Sequence, residues 1–358
     1  MLWIPNALPA ISNAQCNVNE AIMTKHALLQ IKNLHVTLDS TQRQNLTVLK
    51  DINLELEGGE LLGLVGESGC GKSMLASTIM GLLPHPWAKV TQGSILWQGL
   101  DLLQLSPAQR RHFRGRRLSM IFQDPTAALN PSRRLGSQLE ESLQLCHPEL
   151  HSSAIKKRGE ELLELVGLGG ERAIARAFPH EVSGGQRQRV VIAIALAGDP
   201  ELLIADEATT ALDVSTQAQI IDLLRNQAKA KRMSLIVISH NLPMLATICN
   251  RIAVMYAGSI VESGHLLDTL RNPLHPYTQD LLRCIPQRHA KPKTRLATIT
   301  GQVPALHAMP RACAYANRCR YSLELCKLEA PPSRPKTSGQ GSSACWRPEQ
   351  WSGERILP

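Results

Sequence analysis

Short apolar runs and helical apolar stripes alternate along this chain. Residues 61–65 form an apolar run that predicts a buried strand, and apolar residues recur at helical spacing directly after it, at 74, 79, 82 and 83. A second helical stripe covers 155–168, and the stretch 251–264 predicts two strands joined by a tight turn. The pattern therefore predicts a strand–loop–helix unit near residue 65 and a helix-rich segment at about 130–200.

The composition is that of a globular protein, and 358 residues suffice for one large domain plus a smaller one. The longest clean apolar run, residues 190–197, is far shorter than the roughly 20 residues of a membrane span, so no transmembrane helix is predicted. The first 22 residues hold no Lys or Arg and so lack the basic start of a secretory signal. Residues 1–25 are expected to be a disordered extension, or else a misassigned start.

The net charge of +9 is concentrated at the end of the chain. Residues 283–358 hold 13 Lys or Arg against 4 Asp or Glu, so the rest of the chain is neutral overall. Such a basic segment is compatible with nucleic acid, anionic lipid or an anionic cofactor as its partner.

A phosphate-binding loop follows the strand at 61–65. Residues 66–73 fit the pattern G-x-x-x-x-G-K-[ST] between a predicted strand and a predicted helix. The glycines let backbone N–H groups wrap phosphates, Lys72 reaches the β- and γ-phosphates, and Ser73 supplies a hydroxyl to Mg²⁺. The predicted cradle consists of Gly66, Glu67, Ser68, Gly69, Cys70, Gly71, Lys72 and Ser73.

Two acidic residues end a second apolar run. Asp206 and Glu207 follow residues 202–205, at the place where a P-loop protein holds its magnesium carboxylate. Asp206 would serve Mg²⁺, and Glu207 would orient or deprotonate the attacking water. A solvated acidic pair at a strand end is the alternative, since exposed carboxylates are common.

A Ser-Gly-Gly-Gln segment predicts a second phosphate site. Ser183, Gly184, Gly185 and Gln186 precede an apolar stretch, as at a capped helix N-terminus, where exposed N–H groups attract anions. Because residues 66–73 already supply one full cradle, the second site suggests a second nucleotide held between two chains.

Together these motifs resemble those of the ATP-binding subunits of ABC transporters, over about residues 28–265. The resemblance rests on six motifs in the family's order: the phosphate loop Gly66–Ser73, the glutamine loop with Gln123, the signature Ser183–Gln186, the acidic strand ending at Asp206 and Glu207, the loop Ala211–Asp213, and the switch histidine His240. It implies an α/β fold in which a P-loop ATPase domain, residues 26–270, combines a mixed-sheet core with a helical subdomain at about 130–200.

The resemblance also implies a mechanism. ATP would lie on one subunit's phosphate loop and be clamped by the signature of the other subunit. Gln123 would sense the γ-phosphate and join Ser73 and Asp206 at Mg²⁺. His240 would contact the γ-phosphate, and Asp213 would lie at the dimer seam.

Two residues depart from the family pattern. Ala208 stands where a proline usually follows the catalytic glutamate, so Glu207 is expected to be held less firmly and hydrolysis to be reduced. Leu38 stands where the family usually has an aromatic residue that stacks on adenine. Without that ring, ATP binding is expected to lose a stacking contribution of about 1 kcal/mol.

Residues 272–286 resemble a segment of the ATPases of oligopeptide, dipeptide and nickel importers, and residues 122–131 point to the same group. Four cysteines follow, and four thiolates suit either zinc or a four-iron cluster, although their first two spacings are wider than is usual at zinc and free thiols are a further alternative: Cys313, Cys319, Cys326 and Cys345. The resemblance favours a [4Fe–4S] cluster, with Zn²⁺ as the alternative. The region 271–358 is then expected to be stapled by metal, because it holds few large apolar residues.

These observations predict an ATP-hydrolysing subunit of an ABC importer at the cytoplasmic face of a bacterial inner membrane. Its expected partners are a similar but non-identical ATPase, two membrane-spanning permeases and an extracytoplasmic binding protein, with no nucleic acid. Short peptides are the favoured cargo, and nickel or a metal chelate is the alternative. A soluble ABC ATPase that acts on nucleic acid is the competing class; the basic tail keeps it open.

Overall fold

The structure is a computed structural model that describes residues 27–39, 45–170, 172–208, 213–285, 297–336 and 341–347. The extension expected at 1–25 and the predicted site residues 211 and 212 lie outside these ranges. The strands are β1 (Leu29–Asp39), β2 (Asn45–Leu56), β3 (Leu61–Val65), β4 (Ala88–Trp97), β5 (Leu100–Asp101), β6 (Leu118–Ile121), β7 (Leu202–Asp206), β8 (Ser234–Ile238), β9 (Arg251–Tyr256), β10 (Ser259–His265), β11 (Arg334–Pro335) and β12 (Gly341–Ser343).

The α-helices of the described residues lie mostly between β5 and β8 and after β10. They are α1 (Lys72–Ile79), α2 (Pro107–Phe113), α3 (Pro125–Ala128), α4 (Leu135–Cys146), α5 (Ser152–Leu165), α6 (Arg172–Arg176), α7 (Gly184–Leu196), α8 (Val214–Lys231), α9 (Leu242–Ile248), α10 (Leu266–Arg271), α11 (Pro276–Arg283) and α12 (Glu324–Leu328).

The main sheet is mixed, as predicted. Its strand order is β11-β12-β10-β9-β3-β8-β7-β6, with β9, β3, β8, β7 and β6 parallel and β10, β12 and β11 added antiparallel. Strands β7 and β8 are buried along their whole length, which explains their continuous apolar sequence. Parallel strands bring their carboxyl ends to one edge of the sheet, so the segments that follow β3, β7 and β8 come together there.

A second, antiparallel sheet of order β2-β1-β4-β5 packs against α1 and the main sheet through its apolar face. Leu29, Leu34, Ile52 and Trp97 are among the fully buried side chains of this layer. The other face of the main sheet packs against α7, α8 and the remaining helices.

Helices α3 to α7 lie between β6 and β7. Helix α4 packs against α5, α6 and α7, and its buried residues Leu135, Leu139 and Leu143 recur every fourth position. The domain limits proposed from the sequence, 26–270 with a helical subdomain at about 130–200, stay a prediction.

The C-terminal region packs against the edge of the main sheet through aromatic rings and buried polar contacts. The rings of Tyr256, Tyr277 and Tyr315 pack with centroid separations of 4.6 to 5.3 Å. Asp280 accepts hydrogen bonds from Tyr315 Oη at 2.6 Å and from Arg320 at 2.8 Å. These contacts hold residues 313–320 to α11 and β9.

The predicted metal staple is wrong. Among the residues that the structure describes, no group of three or more His, Cys, Asp or Glu side chains is placed to hold a metal ion. An iron–sulfur cluster on Cys313, Cys319, Cys326 and Cys345 is therefore not supported, and neither is zinc, although all four border one small apolar pocket. Burial raises the pKa of Cys313 to about 11 and that of Cys319 to about 12, so both side chains are neutral thiols at neutral pH in this structure.

The metal prediction failed because it rested on the separation of the cysteines along the sequence, which does not reveal the contacts that the neighbouring residues make in the folded chain. The polar and aromatic contacts of Tyr315, Arg318 and Arg320 fold this region instead. As for membrane insertion, no helix within the described ranges has both the length and the apolar character needed to cross a bilayer.

Candidate nucleotide-binding site

The predicted phosphate loop connects β3 to α1. Gly71 caps α1 in the left-handed region with φ of 105°, a conformation that glycine adopts without steric cost. At Gly66 a Cβ atom would lie 2.1 Å from the carbonyl oxygen of Met255, so only glycine lets the loop pass this close to β9. Ser68, Gly69 and Ser73 are exposed, so a phosphate can approach the start of α1, where helix N–H groups attract anions.

Lys72 spans the loop from inside. Its buried ammonium donates to the carbonyl oxygens of Gly66 at 2.8 Å and Glu67 at 2.9 Å, and lies 3.6 Å from Cys70 Sγ. These bonds fix a positive charge at the centre of the cradle. Cys70 itself is buried, and burial raises the pKa of its thiol, so it serves as a small packing residue of the loop.

Asp206 ends β7 beside the cradle and has the character of a magnesium ligand. It is 3% exposed, and its Oδ1 is buried without a hydrogen-bond partner. Burial raises the pKa of this carboxyl, against the opposing effects of a hydrogen bond from Ser73 and the charge of Lys72. Mg²⁺ is commonly held by one or two protein groups together with phosphates and water, and the pair Ser73 and Asp206 fits that pattern.

Glu207 lies at the centre of a second group of predicted residues. Its Oε2 accepts a 2.9 Å hydrogen bond from Gln123 Nε2, and its Oε1 lies 3.5 Å from His240 Nδ1. The backbone of Glu207 has φ of 46°, in a region that non-glycine residues seldom adopt, and its N–H donates to Ile238 O at 3.0 Å. The ends of β6, β7 and β8 thus bring three side chains to one point.

The signature residues start α7 and leave their polar groups accessible. Ser183 Oγ accepts from the N–H of Gln186 at 3.2 Å, while the N–H of Ser183 donates to Gln186 Oε1 at 3.0 Å. Ser183 and Gly184 are exposed, and Gly185 and Gln186 are half-buried. This capping box fixes the first turn of the helix, so its hydroxyl and N–H groups form a rigid surface for an anion.

The remaining predicted residues are also located. Asp213 caps α8 by accepting from the N–H of Thr216 at 2.9 Å. Leu38 is half-buried on β1, opposite Leu46 and Ala88 on the neighbouring strands. Ala208 is buried directly after Glu207.

Sequence reasoning missed two residues of the C-terminal half that contact the phosphate loop. Tyr277 Oη accepts a hydrogen bond of 2.8 Å from the N–H of Glu67. Arg318 forms a salt bridge of 2.9 Å with the Glu67 carboxylate. The two members of that salt bridge are 251 residues apart, and no local pattern in the sequence connects them.

Comparison with known proteins supports the same reading of the site. A family model described as ABC transporter matches residues 49–210, and one described as oligopeptide/dipeptide transporter, C-terminal region, matches residues 261–326. A solved dimeric structure of the ATP-binding cassette MJ0796, in a post-hydrolysis state bound to ADP and Pi, superposes with a TM-score of 0.59. It is 27% identical and covers 66% of this chain and 98% of that one.

Curated relatives match most of the chain. The oligopeptide transport ATP-binding protein OppD of Bacillus subtilis is 43% identical over 85% of each chain. OppD of Escherichia coli is 42% identical over 90% of this chain and 94% of its own length. The dipeptide transport ATP-binding protein DppD of Bacillus subtilis is 40% identical over 92% and 97%. This chain therefore belongs to the family of ABC transporter ATP-binding proteins to which the oligopeptide and dipeptide transport subunits belong.

Proposed function

We propose that this chain binds and hydrolyses ATP to power an ABC importer of dipeptides and oligopeptides. The observation that carries the proposal is the convergence of Lys72, Asp206 and Glu207, with Gln123 and His240, at the carboxyl edge of the main sheet. The peptide cargo is supported by the C-terminal family match and by the names of the relatives.

In the proposed site the residues of the phosphate loop bind the nucleotide. The N–H groups of Gly69 to Ser73 and the Lys72 ammonium surround the β- and γ-phosphates. Ser73, Asp206 and Gln123 would hold Mg²⁺, which offsets the charge of the phosphates when it is bound.

Hydrolysis is assigned to Glu207 and its two neighbours. Glu207 orients the attacking water and accepts its proton, while the water oxygen bonds to the γ-phosphorus and the bond to the bridging oxygen of ADP breaks. Gln123 holds the carboxylate by its 2.9 Å hydrogen bond, and His240, whose side chain is 63% exposed, faces the γ-phosphate.

A second ATPase subunit completes the site in this proposal. The exposed Ser183 and the N–H groups of Gly184 and Gly185 would bind the γ-phosphate on the partner's loop, with Asp213 at the seam between subunits. A homologous but non-identical ATPase is the proposed partner, together with two membrane-spanning permeases and an extracytoplasmic peptide-binding protein. The chain would then lie at the cytoplasmic face of a bacterial inner membrane.

The decisive experiment for the catalytic assignment is Glu207→Gln. Steady-state hydrolysis should fall at least about a hundredfold, because the amide cannot accept the proton, while ATP still binds. Glu161→Gln, on the exposed face of α5, is the control and should hydrolyse ATP normally. Unchanged hydrolysis in Glu207→Gln would refute the assignment.

The transport assignment needs the chain's partners. Affinity purification of the full chain from its own cells, followed by mass spectrometry, should recover two permeases and a second ATPase. A chain that copurifies with nucleic acid, in a salt-dependent manner, would favour a soluble ABC ATPase instead.

A further inference from the structure

A buried arginine of the C-terminal region reaches the phosphate loop. The Arg318 side chain is 5% exposed, and its guanidinium grips the Glu67 carboxylate with both terminal nitrogens, Nη1 to Oε1 at 2.9 Å and Nη2 to Oε2 at 3.1 Å. Two parallel charge-assisted hydrogen bonds fix both the distance and the plane of the carboxylate. Glu67 is the second residue of the loop, so this contact joins the C-terminal region to the cradle itself.

Contacts other than the one to Glu67 also hold the Arg318 side chain in place. Its Nε donates to Thr300 O at 2.9 Å, and Nη1 also donates to Tyr256 Oη at 3.2 Å. The guanidinium carbon lies 5.7 Å from the ring centre of Tyr256 and 5.8 Å from that of Tyr315, within cation–π range. A side chain fixed at this many points loses little further entropy when it binds the carboxylate.

The backbone of Glu67 is held from the same side. Its N–H donates to Tyr277 Oη at 2.8 Å, and Tyr277 is fully buried against Tyr256 and Tyr315. The carbonyl of Glu67 accepts from Lys72 Nζ at 2.9 Å. The C-terminal region therefore fixes the N–H and the carboxylate of the residue whose carbonyl orients the phosphate-binding lysine.

We propose that Arg318 and Tyr277 are positioning residues for ATP: through Glu67 they set the shape of the phosphate loop and neutralise a carboxylate that would otherwise repel the phosphates. The proposal rests on the assignment of Gly66–Ser73 as the ATP cradle. It gives the C-terminal region a direct part in nucleotide affinity, separate from any contact with transport partners.

The test measures the dissociation constant of ATP, and KM and kcat for hydrolysis, in full-length Arg318→Met. Methionine keeps most of the apolar length of arginine but removes its charge and the fork, that is, the two terminal nitrogens that donate to Glu67. ATP affinity should fall and KM should rise about tenfold, because the unpaired Glu67 carboxylate then repels the phosphates and the loop is no longer held in its binding shape. The value of kcat should stay within about twofold, because Glu207, Gln123 and His240 are untouched.

Three further variants separate positioning from a merely structural role. Arg320→Met removes a 2.8 Å contact to Asp280 from the same segment without touching the loop, and KM should not change. Arg318→Lys restores the charge but not the fork and should recover part of the affinity. Glu67→Gln with Arg318→Met should bind ATP better than Arg318→Met alone, because the unpaired carboxylate is gone.

The outcomes are distinguishable. Equal KM values in Arg318→Met, Arg320→Met and the unmodified chain would overturn the inference, even if thermal stability fell in both variants. If Arg318→Met does not fold, Tyr277→Phe provides the same test, since it removes only the acceptor for the Glu67 N–H. Lys72→Ala tests the cradle: its unchanged ATP binding would refute the proposed function, whereas its lost binding beside an unaffected Arg318→Met would refute only the inference.

Discussion

Glu262 and Lys336 form an ion pair of 2.9 Å inside the protein, between β10 and the segment after β11. Their side chains are 0% and 7% exposed. Glu262 also accepts hydrogen bonds of 2.9 Å from the N–H groups of Leu274 and His275, so one carboxylate joins β10, the start of α11 and the C-terminal segment. The docking of the C-terminal region therefore depends on a buried charge that Lys336 compensates.

We expect Lys336→Met to lower the free energy of unfolding by about 3–5 kcal/mol, because it leaves a buried carboxylate without its counter-charge. Equilibrium urea denaturation followed by circular dichroism measures the change. The control is Lys327→Met, whose ion pair with Glu324 is exposed on both sides and should contribute no more than about 0.5 kcal/mol. Adding Glu262→Gln to Lys336→Met should restore part of the lost stability. Equal effects of the two lysine substitutions would contradict this account.

His275 makes the stability of the same junction depend on pH. Burial, opposed by the charge of Asp280, lowers the pKa of His275 from 6.5 to about 3. Between these two values the unfolded chain binds a proton that the folded chain does not. The unfolding free energy should therefore be unaffected by His275 above pH 6.5 and fall below it by up to about 1.4 kcal/mol per pH unit.

The check compares pH profiles of unfolding in the unmodified chain and in His275→Asn. In the unmodified chain the N–H of Tyr277 donates to His275 Nδ1 at 3.1 Å. Asparagine keeps a side-chain acceptor for this N–H, but its side chain does not titrate. The variant should lose the extra slope between pH 6.5 and 4. His112→Asn, at an exposed position of α2, should keep it. If the pH profile of His275→Asn has the same slope as that of the unmodified chain, a group other than His275 causes the loss of stability at low pH.

Much of the fold was accessible from the sequence, because it depends on local rules. The apolar run 61–65 became β3 (Leu61–Val65), and Gly71 lies at the left-handed start of α1, where a glycine is required. Acidic and amide side chains after β6 and β7 lie at one sheet edge because the strands are parallel. The roles assigned to these side chains remain predictions.

What the sequence could not give depends on contacts between distant segments. The fork between Arg318 and Glu67 needs two residues from opposite ends of the chain, and neither lies in a pattern that names its partner. The cysteine spacing suggested a metal centre, but spacing does not determine where four side chains point. The left-handed backbone of Glu207 is likewise fixed by its neighbours, through the bond to Ile238 O, and not by residue type.

Gly66 should be irreplaceable in the phosphate loop. In Gly66→Ala the new methyl would approach Met255 O to 2.1 Å, and the loop must move away from β9. We expect a loss of about 1–3 kcal/mol in stability and of at least about tenfold in ATP affinity, measured by thermal unfolding and by equilibrium titration. Gly58→Ala is the matched control, because nothing lies within 4 Å of its Cβ. Unchanged ATP affinity in Gly66→Ala would show that this close approach is not needed for binding.

The hydrogen bond between Gln123 and Glu207 should control the rate of hydrolysis more than the binding of ATP. In Gln123→Glu the donor at 2.9 Å becomes a second carboxylate, which repels Glu207 and moves it from the position that the amide fixed. We expect kcat to fall about tenfold or more, while the affinity for ATP without Mg²⁺, to which Gln123 contributes no ligand, changes less than about threefold, measured by steady-state kinetics and by nucleotide titration in the absence of Mg²⁺.

The chain offers a matched control for this last substitution. Gln98, in the turn between β4 and β5, donates to the carboxylate of Glu201, directly before β7, at 3.1 Å, which is the same amide-to-carboxylate arrangement at an exposed position. Gln98→Glu introduces the same like-charge pair, yet it should leave kcat unchanged because neither side chain touches the cradle. If both variants lower kcat alike, general destabilisation is the cause. If only Gln123→Glu does, the orientation of the Glu207 carboxylate limits hydrolysis.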